Sequence, residues 1–382
     1  MHLPLAGLTV VELGHSVAAP FAGQVLGDLG ARVIKVENPE QGDDARAWGP
    51  PFWHGSSATF QSLNRNKLSV AVDFKDADDL ARLKALITEE ADVVLQNLRP
   101  GLTLRFGIDA GEIRAANPRI IYCNLGAFGA DGPMRDKPGY DPLMQAFGGL
   151  MSVTGEAERP PVRVGPSIID MGAGLWSVIG ILAALQQRQQ TGKGCVVDTS
   201  LFETSLSWMT VPVALQMASG RDPGRTGSEA AMIVPYKAYK AADRYLVIAA
   251  GNDSLFRRLA EALGHPEWIN DPRFLDNASR VRNRDAINGM IEQVVGSADA
   301  AHWPAKLDAA GVPSAPTQDV SEVLAHPQTQ ALGMVQPVPD RDMRLMSLPL
   351  RFDGERPPIR IAPPALGADN GAVFHTSEAE SP

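Results

Sequence analysis

A chain of 382 residues, 44% hydrophobic and 21% charged, has the composition of a soluble globular protein with room for two domains. Its 35 basic and 44 acidic residues leave a net charge of −9, which argues against nucleic acid or an anionic membrane as partner, though a few local cations could still hold a phosphate-bearing ligand. Two cysteines, Cys123 and Cys195, are too few for a disulfide framework and lack metal-ligand spacing, so a reducing, cytoplasmic setting without a metal is expected.

The N-terminus, MHLPLAGLTVVELG, has no basic stretch ahead of an uninterrupted apolar run, so no signal peptide is expected. Leu8–Leu13 is β-branched and reads as a buried strand. The turn Gly14-His15-Ser16 follows, then a helical pattern from Pro20 to Leu29 and a second strand over Ala31–Glu37. This is a βαβ unit of roughly 30 residues, which implies parallel strands and an α/β fold. The first turn reads GHSVAAP rather than G-x-G-x-x-G, so a dinucleotide fingerprint is absent. Residues 38–63 are rich in Pro, Gly and Asp and read as a long surface loop.

Further strands are expected at Ser69–Phe74, Asp92–Gln96, Arg119–Leu125 and Cys195–Leu201, with a helix over Asp76–Glu89 between the first two. The stretch 159–174, RPPVRVGPSIIDMGAG, sets Asp170 just before an apolar helix expected over Leu175–Gln190. Its apolar run, Leu175–Leu185, is too short for a bilayer and reads as a core helix. Asp is among the best N-cap residues, so a helix cap explains Asp170 without further function. A nucleophilic carboxylate, kept ionised by the helix N-terminus, is the sharper alternative. Another helix is expected at Phe202–Ala218, and the Gly/Arg/Asp-rich segment 220–227 marks a domain boundary. Beyond it come a hairpin (Tyr236–Ala241, Tyr245–Ala250), helices near 253–263, 283–296 and 301–310, a small strand pair within 333–352, and a polar tail whose last residues are expected to be mobile. The predicted class is α/β: a large Rossmann-like domain with a parallel sheet over 1–220, completed by a return segment 331–382, and a smaller α+β domain over 228–330.

LTVVELG…LGDLGARVIKVENPEQGDDAR, NRNKLSVAVDFK, LQNLRPGLTLRFGI, GYDPLMQAFGGLMSVTG, GPSIIDMGAG, TGKGCVVDTSLFE and DPRFLDNASRVRNR occur in collinear order over roughly residues 5–370. Together they resemble the class III CoA-transferases, a superfamily that also holds 2-methylacyl-CoA racemases. The resemblance implies a homodimer of two interlocked ring-like chains, acyl-CoA and a small carboxylic acid as substrates, and no tightly bound cofactor. It implies that Asp170 is the catalytic aspartate, attacking a thioester carbonyl to give an anhydride and then an aspartyl-CoA thioester. Backbone donors for the oxyanion would come from Gly172 or Gly174 and from Gly251 in AAGND, where relatives carry a longer glycine loop.

By the same resemblance CoA would contact Val17, Ala18, Asn38, Val72, Asp73, Phe74, Lys75, Asn97, Leu98, Arg99, Arg105, Lys137 and Tyr140. Position 38 is commonly Arg in the family. Asn38 has no charge to offer, so Arg46, Arg99 or Arg105 would carry more of the phosphate contact. His15 is either a turn residue bonded to its own loop or a ligand-side group. Racemases carry His where this chain has Tyr140, and a phenol with a pKa near ~10 is a poor proton-transfer base. A racemase is therefore the runner-up, followed by a catalytically silent acyl-CoA-binding protein. Glu12 and Asp141 read as structural, Asp141 being the nearer to the site. The dicarboxylate-handling members are the most similar in texture.

Overall fold

The computed structural model describes residues 2–374. The chain divides into two compact units, the first built from 2–150, 163–220 and 328–374, the second from 151–162 and 221–327. Segment 151–162 thus departs from the sequence assignment. It joins the second unit because Gly227 N–H donates to Gly155 O and the Arg225 guanidinium holds the carbonyls of Glu156, Ala157 and Arg159. The tail expected to be mobile lies at 375–382, outside the described residues.

In the first unit, β1 (Thr9–Leu13), β2 (Arg32–Glu37), β3 (Lys67–Ala71), β4 (Val93–Gln96), β5 (Ile121–Gly126) and β6 (Val196–Ser200) form one sheet. Their spatial order is β3-β2-β1-β4-β5-β6, and every pairing is parallel. This is the doubly wound order, with its reversal between β1 and β4. Adjacent residues of a strand face opposite sides. Val10, Val33, Val93 and Ile121 accordingly meet α1 (Ala18–Asp28) and α3 (Ile168–Thr191) on one face, while Val11, Ile34, Val70 and Val94 meet Leu83, Ile87 and Ile113 on the other. Between β5 and α3 lies a short helix, α2 (Asp141–Phe147).

Four sequence expectations need correcting. Residues 38–63 are not a bare loop: Asp44–Ala47 turns as a short helix, Phe52–Trp53 pairs with Ser56–Ser57, and Ala58–Leu63 is helical with Phe60 buried. The strand expected at Ser69–Phe74 starts two residues earlier, because Lys67 is itself a fully buried strand residue. The helix over Phe202–Ala218 breaks at Met209 into α4 (Leu201–Trp208) and α5 (Thr210–Ser219). Finally, α3 begins at Ile168, not Leu175, and at 24 residues it is long and apolar enough to cross a membrane. One side of it, including Ile169, Ala173, Val178 and Ile181, is buried on this unit's core, as in a soluble core helix.

Beneath β1 and β2 the Glu12, Lys35, Lys67 and Asp43 side chains are shut off from solvent. Lys35 Nζ lies 3.0 Å from Glu12 and 2.8 Å from Asp43, and Lys67 Nζ 2.8 Å from Glu12. Lys35 faces three carboxylates, which raise its pKa despite burial. Lys67 has Glu12 opposite it but Lys35 beside it, and burial brings it down to about 8. The return segment closes the sheet edge. Asp369 Oδ2 accepts from Ser69 N–H and Asn370 Oδ1 from Ala71 N–H, so two donors of β3 are satisfied by side chains.

In the second unit, β7 (Tyr236–Lys240), β8 (Tyr245–Ala249) and β9 (Ser314–Pro316) form an antiparallel sheet. It packs on α6 (Asp253–Leu263) and the helix Arg284–Val295 around Tyr239, Phe256, Ile287 and Trp303. Arg280, fully buried, ties this core together by donating to Val234 O, Phe274 O and Asp253.

Candidate active site

In doubly wound sheets, ligands bind beyond the carboxyl ends of the strands where the order reverses. A cavity of about 340 Å³ lies there in the first unit. It is lined by His15 after β1, by Val36 and Glu37 at the end of β2 and Asn38, Asp43 and Asp44 beyond it, by Val72, Asp73, Phe74 and Lys75 after β3, and by Leu98, Leu102, Arg105 and Phe106 after β4. Phe74 and Phe106 meet edge to face at 5.4 Å and give it an apolar wall. A second recess, of about 430 Å³, lies in the second unit around Asp243, Arg244, Asp319 and Glu322. Its Arg244 is already paired with Glu322 at 2.7 Å, and it holds none of the candidate residues.

The buried charges fix the loop that opens the first cavity. Lys35 Nζ donates to Gly14 O at 2.6 Å, Ser16 N–H donates to Asp43, and the Asn97 amide bridges His15 N–H and O at 3.0 Å each. Ser16 is held at φ 71°, a left-handed conformation that costs energy for a non-glycine residue. The His15 ring faces the cavity with Nδ1 2.9 Å from Ser16 Oγ, and burial lowers its pKa despite the Asp43 and Asp44 charges.

Of the residues expected to contact CoA, Asn38, Val72, Asp73, Phe74, Lys75, Leu98 and Arg105 come together on this cavity. Val17 and Ala18 have buried side chains at the start of α1, where a ligand would meet main-chain N–H groups. Arg99, Lys137 and Tyr140 are exposed and lie off the lining. The Asn97 amide is committed to the His15 loop. Arg46 is corrected: it forks onto both Glu37 oxygens, donates to Pro364 O and stacks on Phe60, so its charge is spent. The Asn38 side chain accepts from Glu40 and Gln41 N–H and closes its own turn. Lys75 and Arg105 are the exposed cations on the lining.

Asp170 is the third residue of α3, one turn ahead of Gly174. Gly174 lets α3 lie against the first turn of α1: a Cβ there would come 2.8 Å from Ala18 O. Gly172 packs on Thr204 and Trp208 in the same way. Both glycines are therefore close-packing positions inside a helix whose N–H groups serve its own ladder, which corrects their assignment as oxyanion donors. Gly251 belongs to the second unit, between β8 and α6, and a Cβ there would meet nothing within 4 Å.

Asp170 is not the cap of α3. That place falls to Asp141, the first residue of α2, whose Oδ2 accepts from Ile169 N–H at 2.7 Å and Asp170 N–H at 3.2 Å. Among the described residues, no hydrogen bond or ion pair holds the Asp170 carboxylate itself. Nor does the helix keep it ionised, as the sequence suggested. Burial, and then the Asp141 charge, push its pKa up to about 7. In the sequence, Asp-Pro, with Pro favoured in a first helical turn, marks the start of α2 and carries no sign of a cap on α3.

Over residues 5–370 the chain matches the family described as CoA-transferase family III. It is 37% identical over 372 residues to the acetyl-CoA:oxalate CoA-transferase of Acetobacter aceti, covering 97% of this chain and 95% of that protein. It is 36% identical over 367 residues to the succinyl-CoA:glutarate CoA-transferase of Mus musculus, covering 95% of this chain and 84% of that one. The crystal structure of a CAIB/BAIF family protein from Brucella suis superposes with a TM-score of 0.88, at 38% identity, over 98% of this chain and 99% of that chain.

Proposed function

The chain belongs to CoA-transferase family III, and on that premise we propose that it moves CoA from an acyl-CoA to a small dicarboxylic acid through covalent intermediates on Asp170. The observation that carries this is a partly buried carboxylate with no partner among the described residues, at the head of the helix that packs on the first turn of α1.

The Asp170 carboxylate attacks the thioester carbonyl, the C–S bond breaks, and an acyl-aspartyl anhydride and CoA thiolate result. The thiolate attacks the aspartyl carbonyl of the anhydride, expelling the donor acid as its carboxylate and leaving an aspartyl-CoA thioester. The acceptor carboxylate then attacks that thioester and releases the thiolate again. Attack of the thiolate on the acceptor's acyl carbon forms the new acyl-CoA and restores Asp170. Each step exchanges one activated acyl bond for another of similar energy, as nucleophilic catalysis by a carboxylate requires. A raised pKa makes Asp170 the more basic nucleophile once ionised, so the rate should climb as pH passes about 7.

The apolar wall of the 340 Å³ cavity suits an adenine ring, with Lys75 and Arg105 for phosphates. The names of the relatives, which specify oxalate, succinate and glutarate, support a dicarboxylate acceptor. Exposed Leu175, Trp176 and Ile179 on α3 and Val211 and Met217 on α5 support a homodimer, which light scattering tests. Two free thiols, Cys123 and Cys195, fit a cytoplasmic setting, open to test by cell fractionation. For the chemistry, the protein is incubated with succinyl-CoA or acetyl-CoA and trapped with hydroxylamine or borohydride. Peptide mass should find the modification on Asp170. Full transfer activity in Asp170→Ala would overturn the mechanism.

A further inference from the structure

We propose that Asp141 and Gln145 form a positioning pair for Asp170: Asp141 caps α3 from another helix, so that the nucleophile keeps its own carboxylate free. This rests on the reading of Asp170 as nucleophile. The first N–H groups of any helix need acceptors. Ser167, which precedes α3, makes no side-chain bond to them. If Asp170 answered that need, its lone pairs would be bound to N–H donors and its basicity lowered. Asp141, 2% exposed, takes the task instead.

The Asp141 carboxylate is in turn held. Gln145, one turn along α2 and fully buried, donates through Nε2 to Asp141 Oδ1 at 2.6 Å. Its Oε1 accepts from Val164 N–H at 2.7 Å. The strap from Val164 to Asp170 is therefore pinned to one face of α2 at both ends. Neither side chain needs to touch a substrate to act, since a small misplacement of a nucleophile costs rate steeply.

The elements packed on α3 carry other titratable groups: Asp28 on α1, Tyr122 and Cys123 on β5, Asp198 on β6 and Glu203 on α4. Asp28 is paired with Arg65 at 2.6 Å. The charge that raises Asp170 is that of Asp141.

The test uses the full chain and two readouts. The first is the ionisation of Asp170, followed by ¹³C NMR of carboxylate-labelled aspartate and assigned by its loss in Asp170→Asn. Asp141→Asn keeps an acceptor for the cap and removes the charge, so the Asp170 midpoint should fall by about one pH unit. The second is steady-state transfer from succinyl-CoA. Asp141→Ala and Gln145→Leu should lower kcat by ~10-fold or more while the acyl-CoA KM stays within ~3-fold. Wild-type kcat in a folded Asp141→Ala or in Gln145→Leu overturns the proposal. Should Asp141→Ala fail to fold, the kcat of Gln145→Leu decides. Transfer that survives Asp170→Ala defeats the nucleophile reading. Unmoved readouts in a protein that Asp170→Ala inactivates defeat the pairing alone.

Discussion

Replacing Asp170 by Asn is expected to abolish transfer and, at neutral pH, to make the fold more stable. In the folded chain this carboxyl titrates at about 7 rather than its ordinary 3.8, through burial first and the Asp141 charge second. An acid whose folded pKa is raised binds its proton more tightly in the native state. Its contribution is fully present below the unfolded pKa and is lost as pH rises through the folded one. The wild type should therefore lose stability relative to Asp170→Asn between about pH 4 and pH 7. At ~1.4 kcal/mol per pH unit, the interval from 3.8 to about 7 caps the effect at about 4 kcal/mol. The carboxyl is partly open to solvent, which screens it, so roughly 1–3 kcal/mol is the expected advantage of Asn at about pH 8. Near pH 4 the two proteins should agree within ~0.5 kcal/mol, since a protonated Asp and an Asn are nearly isosteric. The assay is denaturant unfolding of both proteins in matched buffers, so that all other titrating groups cancel. A flat difference across that range, or an Asn variant that loses ground as pH rises, refutes the reasoning.

Gly23→Ala would set a methyl carbon 1.9 Å from Glu12 Oε2, and Glu12 cannot retreat from its two lysines. A loss of ~3 kcal/mol or more is expected, read as a large drop in melting temperature. Lys75→Ala and Arg105→Ala should each raise the acyl-CoA KM ~3- to 30-fold with kcat within ~2-fold, and added salt should narrow the gap to wild type. Asp369→Ala leaves Ser69 N–H without its acceptor on the sheet edge and should cost ~1–2 kcal/mol, measured by denaturant titration.

The parallel sheet was legible because its strands are short β-branched runs between turns, and Val10–Leu13, Val33–Val36 and Val93–Leu95 are buried as such runs require. The start of α3 is hidden in the sequence because two glycines in MGAG are weak helix formers, whereas Gly172 and Gly174 are small for the sake of Trp208 and Ala18. Residues 38–63 looked like loop because composition does not show that Phe60 is covered by Arg46, whose charge goes to Glu37. The position of Asp170 was readable from motif order. The identity of its cap was not, since Asp141 stands 29 residues away in sequence and meets it through tertiary packing. Arg46 failed as a phosphate ligand for a similar reason: sequence counts charges but not which of them are already neutralised.

The closure of the sheet edge bears on how the chain folds as it is made. Ser69 waits for Asp369 across 300 residues, and Asn66 accepts Arg360 and Ile361 N–H across 294 and 295. The first unit is split around 221–327, so its last contacts form only after the second unit has been made. Until then a nascent chain presents β3 with open N–H groups, a template for pairing with a neighbour on the same polysome. Such long-range closure is slow. Synthesis rate and chaperone supply should therefore govern the soluble yield more than the stability of the finished molecule does.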